Sequence, residues 1–278
     1  MQIHPPGTVN RRTAAAGMAG FLVLALGFMS PSAMAQSDSL ARIRSSGKIR
    51  IAIDLSVPPW SYKDDKLEMK GSEVDTAKLL AKDLGVELEV VPTNSANRIP
   101  LLMTNRADVV ISAMTITPER LKTIDFSRPY SGISTYVAAP KSMAVRTPAD
   151  LVGKKIAVTR GTTNDADITR MAPPGAEVVR FEDESTTMTA VVSGQMDVTA
   201  LATTLIEVIN QRNPGKQLEP KLLLQNSLFG VGMRKNDAAL KEWVNKWIED
   251  RLGSGDLQTI YKKHQGAEIP AEVLKGGT

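Results

Sequence analysis

The sequence predicts an α/β protein built from two units, each of mostly parallel strands alternating with helices. Three observations carry this expectation. Strand-like and helix-like segments alternate from Lys48 onward. The extended stretch Tyr136-Val137-Ala138-Ala139-Pro140 leaves the first alternating unit, and Lys155-Ile156-Ala157-Val158 opens a second. The chain has 278 residues, enough for two domains of about 100 residues each or one large one.

Each element has a local reason. Residues 48–53 alternate, with Ile at 49, 51 and 53, and read as a strand that ends at Asp54, with Pro58-Pro59 stopping any continuation. Ser72-Glu73-Val74-Asp75 has capping-box spacing, which places a helix over 76–84 closed by Gly85. A strand over 86–91, a short helix over 97–103 and a buried strand over 107–112 follow. Thr117-Pro118-Glu119 is a helix start, with Thr as cap, Pro at the first position and an acid in the first turn. After the crossing, 148–153 is a short helix and stop. Strands over 155–158, 177–180 and 197–201 then alternate with helices over 184–192 and 204–210. Residues 230–234 are extended again, and helices over 238–252 and 256–263 end the chain. Trp243 and Trp247, four apart on the first of these, read as a packed face.

Before Lys48 the chain reads differently. Arg11 and Arg12 precede an apolar stretch over 14–29, and Ala33-Met34-Ala35 follows as a small-x-small site. This is the pattern of a signal peptide over 1–35, with cleavage leaving Gln36 as the new N-terminus. The paired arginines raise the twin-arginine route, but Thr13-Ala14-Ala15 lacks the bulky apolar residue expected there, which favours the general secretory route. Removing 35 residues from 278 leaves 243, and the formal charge falls from +4 to +2 because Arg11 and Arg12 are lost. So small an excess gives no reason to expect a nucleic-acid partner. There is no cysteine, which excludes disulfides and thiolate metal sites. His264 is the one histidine after the signal and sits in a Lys-rich C-terminal helix, so a His-based metal site or a Ser-His-Asp triad is a poor fit, and no metal or cofactor is expected. No further stretch is long and apolar enough to cross a membrane as a helix.

A set of segments in fixed order is more specific than any one of them. Asp54-Leu55-Ser56-Val57-Pro58-Pro59-Trp60 and Gly71-Ser72-Glu73-Val74-Asp75 come first. Ala107-Asp108-Val109-Val110 leads to Thr115-Ile116-Thr117-Pro118-Glu119-Arg120, then Ile124-Asp125-Phe126-Ser127 and Pro129-Tyr130. Leu151-Val152-Gly153-Lys154-Lys155-Ile156-Ala157-Val158, Arg160-Gly161-Thr162-Thr163 and Gly230-Val231-Gly232-Met233-Arg234-Lys235 complete it. Together these resemble bacterial extracellular solute-binding proteins of family 3, the periplasmic amino-acid-binding components of ABC importers. The resemblance implies the type-II periplasmic binding fold, two Rossmann-like lobes joined by a two-strand hinge with the ligand cleft between them. Lobe 1 would take 36–138 plus 229–278 and lobe 2 would take 139–228, with crossings near 139 and 226–230. It further implies a monomer that closes on a small amino-acid-like carboxylate and presents it to membrane permease subunits.

The residue chemistry fits that implication. Arg120, in the first turn of the helix opened by Thr117-Pro118, can hold a carboxylate bidentately. Thr115 and Ser112 lie at the strand-to-helix turn before it, where a hydroxyl and backbone N–H groups can face the same anion. Across the cleft, Thr162 and Thr163 follow Gly161 between a strand and a helix, either as a second anion-binding turn or as an ordinary helix cap. Trp60 is expected on the pocket wall. Asp54 faces a ligand cation or caps its own turn, and both readings stay open.

Three departures from the family pattern bear on the ligand. Ala200-Leu201-Ala202-Thr203-Thr204 stands where the α-amino binders carry an acid, so an ammonium would rely on hydroxyls such as Thr203, on Asp54 or on carbonyls. Val57 and Ser95 replace the two aromatics of a side-chain sandwich. Arg98 adds positive charge near the cleft, favouring an anionic ligand side chain unless it is only a solvated helix start. The loss of the acid also suits a second reading, a cyclohexadienyl dehydratase-like enzyme on the same fold with Glu207 as its acid.

Overall fold

The computed structural model describes residues 38–276. The expected signal peptide and the new N-terminus at Gln36 lie outside the described residues.

The chain opens with α1 (Ser39–Ser46) and β1 (Lys48–Asp54). Three short strands, β2 (Ser56–Val57), β3 (Ser61–Lys63) and β4 (Met69–Lys70), form a small sheet of their own. Then come α2 (Ser72–Leu84), β5 (Glu87–Thr93), α3 (Arg98–Met103), β6 (Val109–Val110) and α4 (Pro118–Leu121). The long β7 (Asp125–Pro140) leads past a 3-10 turn at Pro148–Leu151 into β8 (Lys155–Thr159), α5 (Thr163–Met171), β9 (Glu177–Phe181), α6 (Glu184–Val192), β10 (Val198–Ala202) and α7 (Thr203–Arg212). A second long strand, β11 (Leu218–Met233), returns the chain to α8 (Ala238–Gly253), α9 (Asp256–Gln265) and α10 (Ala271–Leu274).

The main sheet has eight strands in the order β5-β1-β6-β11-β7-β10-β8-β9. It consists of two parallel trios, β5-β1-β6 and β10-β8-β9, separated by β7 and β11. These two sixteen-residue strands pair antiparallel over almost their whole length. β11 joins the first trio through Gly232 and Met233, and β7 joins the second through the pairs from Thr135–Ala202 to Ala138–Thr199. The α/β class is thus observed with one difference in form. The two expected sheets are continuous, because the crossing strands pair with each other and with both trios. The sequence put the outward crossing near Ala139, whereas pairing with β10 begins at Thr135.

Each trio is covered on both faces, the usual state of parallel strands. β1 is buried from Ile51 to its end. Ile49, Ile51 and Ile53 pack with Leu80 of α2 and with Val244 and Ile248 of α8. On the other face Ala52 and Val110 pack with Leu101 and Leu102 of α3. Around β8 and β10, Ala157 and Leu201 share one cluster with α6 and α7, and Val158 and Ala200 share another with Ile168 of α5. Trp247 is buried, and its indole N–H donates to Asp83 at 2.7 Å, so the Trp243/Trp247 face is a packed one.

One cap differs from expectation. Gly71, not Ser72, caps α2, and the helix begins at Ser72. Gly71 has φ +116°, and a Cβ there would lie 2.2 Å from the Trp60 carbonyl oxygen. Only glycine lets the chain turn into α2 so close to the Trp60 backbone. Ser72 Oγ is instead taken by Gln265 Nε2 of α9 at 3.0 Å.

Candidate functional site

A cavity of about 60 Å³ lies between the two trios, where their strands end and helices begin. Trp60, Ser112, Thr115, Arg120, Thr162 and Thr163 all line it, so the fold gathers six of the eight residues singled out in the sequence. Asp54 and Thr203 do not.

The first wall follows from β1 and the turn after β6. Asp54, 1 % exposed, accepts from Ser56 N at 3.1 Å and Ser56 Oγ at 2.6 Å, and from Ser95 Oγ at 3.3 Å. These contacts cap its own turn. Burial pushes its carboxyl above the usual range, with Ser56 and Arg98 pulling the other way. Ser112 Oγ accepts from Asp54 N at 3.0 Å and helps fix that turn. Trp60 belongs to both wall and core. It lines the cavity, stacks edge-on with Phe229 and Tyr261 at centroid distances of 5.1 and 5.7 Å, and donates from Nε1 to Thr204 Oγ1 at 3.2 Å.

Arg120 enters from α4. Thr117 caps this helix as expected, its Oγ1 accepting from Arg120 N at 3.2 Å. Arg120 Nη1 donates to the Thr115 carbonyl at 2.9 Å and Nη2 donates across the cleft to the Gly161 carbonyl at 3.2 Å. The guanidinium is held from both walls. Burial and the nearby Arg98 push it down to about 9, so it stays charged at neutral pH.

The second wall begins at Thr162, the N-cap of α5. Its hydroxyl accepts from Asp165 N at 3.1 Å and donates to the Thr159 carbonyl at 2.7 Å, which occupies it as a cap. The groups left to face an anion are the first-turn amides of Thr163 and Asn164, which have no acceptor within the helix. Thr203 starts α7, and its neighbours Ala202 and Leu205 line the cavity instead.

Arg98 is 4 % exposed and lines the cavity, so it is no solvated helix start. Nε donates to the Ser95 carbonyl at 3.1 Å and Nη1 to the Ser112 carbonyl at 2.8 Å. Burial lowers its pKa, while Asp54, Glu184 and Glu73 raise it.

Sequence reasoning missed two acids here. Glu184, the first residue of α6, is 5 % exposed, lines the cavity and accepts from Thr159 Oγ1 at 2.7 Å. Burial raises its carboxyl to about 7, with Thr159 and Arg98 opposing. An acid at a helix start ordinarily reads as a favourable dipole contact at the surface. A signal existed: Glu184, Thr187, Met188 and Val191 share the buried face of α6 at helical spacing. Glu73 sits behind the cavity wall. It accepts from the Tyr130 hydroxyl and from the backbone of Ala113, a cavity-lining residue held at φ +44°. Burial raises it to about 7 as well. Glu207, the acid of the enzyme reading, is exposed and does not line the cavity.

Known proteins are similar to this chain along most of its length. The L-cystine-binding protein TcyJ of Escherichia coli (strain K12) is 31% identical over 248 residues, covering 87% of this chain and 91% of that protein. The glutamine-binding protein GlnH of Bacillus subtilis (strain 168) is 30% identical over 242 residues, covering 85% and 88%. The crystal structure of the ancestral amino acid-binding protein AncCDT-1, a precursor of cyclohexadienyl dehydratase, superposes with a TM-score of 0.73 at 31% identity, covering 82% of this chain and 99% of that one. Residues 49–267 match the bacterial extracellular solute-binding proteins, family 3, and the chain belongs to that family.

Proposed function

We propose that this protein captures a small amino acid or related carboxylate between its two lobes and delivers it to the membrane permease of an ABC importer. The observation that carries the reading is Arg120. Its guanidinium is tied to carbonyls on both walls of one small cavity, beside the first-turn amides of α5. A carboxylate there meets a charged fork and a helix N-terminus together. The relatives named for cystine and glutamine binding support an amino-acid ligand. The two long strands β7 and β11 act as the hinge, closure traps the ligand, and no bond is made or broken. In this reading residues 1–35 are a signal peptide, the protein works as a monomer outside the inner membrane, and nucleic acid plays no part.

Ligand removed by unfolding and refolding, followed by thermal unfolding against amino acids, dicarboxylates and keto acids, tests this. A ligand at a hundredfold excess over its Kd stabilises by about 2.7 kcal/mol. At least one amino-acid-like carboxylate is expected to do so, and Arg120→Ala is expected to lose the response. If no carboxylate binds, the role given to Arg120 is wrong.

A second reading, an elimination enzyme, draws on Glu184 rather than Glu207, since a buried carboxyl near pH 7 in a carboxylate pocket suits a general acid. Loss of water from a cyclohexadienyl substrate incubated with the protein would favour it over transport.

A further inference from the structure

Arg98 and Glu184 come from opposite walls, one at the start of α3 and the other at the start of α6. Both line the cavity and both are more than nine-tenths buried. They lie close enough for each to influence the charge of the other, yet among the described residues they form no ion pair and spend their hydrogen bonds elsewhere. Arg98 uses Nε and Nη1 on carbonyls, and Glu184 uses Oε2 on Thr159. Arg98 Nη2 and Glu184 Oε1 have no recorded protein partner among the described residues. Neither is among the enclosed, unpaired atoms of the molecule, so each opens onto space, and the cavity is the space both residues line.

We infer that Arg98 and Glu184 read a second polar group of the ligand, beside the carboxylate held by Arg120, as a matched donor and acceptor. The protein therefore takes a carboxylate ligand that ends in a group able to accept and donate side by side: a carboxamide or a second amino-acid head group. The inference rests on the carboxylate site at Arg120. A ligand ending in a bare carboxylate would satisfy Arg98 but face Glu184. A guanidinium would satisfy Glu184 but face Arg98. Either leaves a buried charge opposed by its like, and discrimination of this kind comes as much from repulsion as from attraction. An amide oxygen on Arg98 with its NH2 on Glu184 satisfies both, and so does a carboxylate on Arg98 with a neighbouring ammonium on Glu184.

Isothermal titration at pH 8, where Glu184 is ionised, of the refolded, ligand-free protein with glutamine, cystine, glutamate and arginine tests the pair. Glutamine or cystine is expected to bind at least tenfold more tightly than glutamate and arginine, and whichever of the two leads separates the amide from the double-headed source. Glu184→Gln removes the opposing charge and supplies an N–H donor, so the ratio of glutamate to glutamine affinity is expected to rise at least tenfold. A merely structural Glu184 would weaken all four ligands by a common factor, and that result overturns the inference, as does a wild-type preference for glutamate or arginine. The wild-type ranking does not depend on whether the variant folds. If none of the four binds wild type while another carboxylate of the wider panel does, only this inference fails; if no carboxylate of that panel binds, the carboxylate site itself fails and this inference with it. If wild type binds but the ranking is wrong, only this inference fails.

Discussion

Glu73 and Glu184 are both enclosed, and for both burial outweighs the hydrogen bonds they accept, lifting each from 4.5 to about 7. Between those two values the folded protein keeps protons that the unfolded chain has already released. The stability these groups confer is full below about pH 4.5 and is lost as pH rises through about 7, at up to roughly 3 kcal/mol apiece. Asp54 shifts in the same direction. Asp75 and Asp108, held low by their basic partners, act oppositely and at lower pH. Glu73→Gln keeps an acceptor for Tyr130 but cannot titrate. Urea unfolding at pH 4.5, 5.5, 7 and 8 is therefore expected to show a flatter loss of stability in the variant than in wild type, by about 1–3 kcal/mol across the window. Identical slopes would mean that Glu73 is ionised throughout and that its burial is relieved in solution. At this scale legibility was uneven. Arg120 could be found because its charge lies in a Thr-x-x-Arg helix start whose cap and proline are local features. Glu184 could not, because one acid at a helix N-terminus looks the same whether the helix faces water or a cavity, and that is decided by residues about 85 positions away at Arg98.

The helix α5 shows how one hydroxyl can serve the fold and its neighbour the ligand. Thr162 Oγ1 is engaged at both ends, while among the described residues no hydrogen bond is recorded for the Thr163 hydroxyl, which lines the cavity. Thr162→Val is expected to cost about 1 kcal/mol through the lost cap, or roughly 2–4 °C in Tm, with a secondary loss of affinity as the first-turn amides loosen. Thr163→Val is expected to leave ligand-free stability within about 0.5 kcal/mol and to weaken ligand binding. Thermal unfolding and titration of both variants check the division, and equal effects on stability would undo it. Elements with a local start signal were read closely from sequence: α6 falls on the expected 184–192, opened by a capping box of Asp183 and Thr186. The expected strand over 107–112 shrinks to Val109–Val110, although its flanking residues are buried, because β1 and β11 offer partners over only two residues there. The cap of α2 was misplaced for a related reason. The Ser72-to-Asp75 spacing is local, but the close approach of Gly71 to Trp60 is tertiary.

Closure of the whole molecule rests on few contacts between the trios. Trp60 Nε1 reaches Thr204, Glu184 N reaches Ser56 Oγ at 3.3 Å, Ser185 Oγ reaches the Ser56 carbonyl at 3.3 Å, and Arg120 reaches the Gly161 carbonyl. Val57 and Ala202, each partly buried, add apolar contact across the cleft, and on the hinged-closure reading a ligand that adds polar contacts to both walls has leverage over the equilibrium between open and closed forms. Gly161 is a point of close approach between the walls. Its φ is +74°, and a Cβ there would lie 2.8 Å from Ala96 Cα on the facing wall. Ala96 belongs to the other trio, so on the hinged-closure reading the clash exists only when the lobes are shut. Gly161→Ala carries the backbone strain of a positive φ in every state, about 1 kcal/mol, but the steric conflict in the closed state alone. The expected result is a variant that folds with slightly lower ligand-free stability, binds its ligand at least tenfold more weakly, and contracts less than wild type when ligand is added in small-angle X-ray scattering. A variant that contracts as fully as wild type would show that the lobes do not need to meet at Gly161 to hold the ligand.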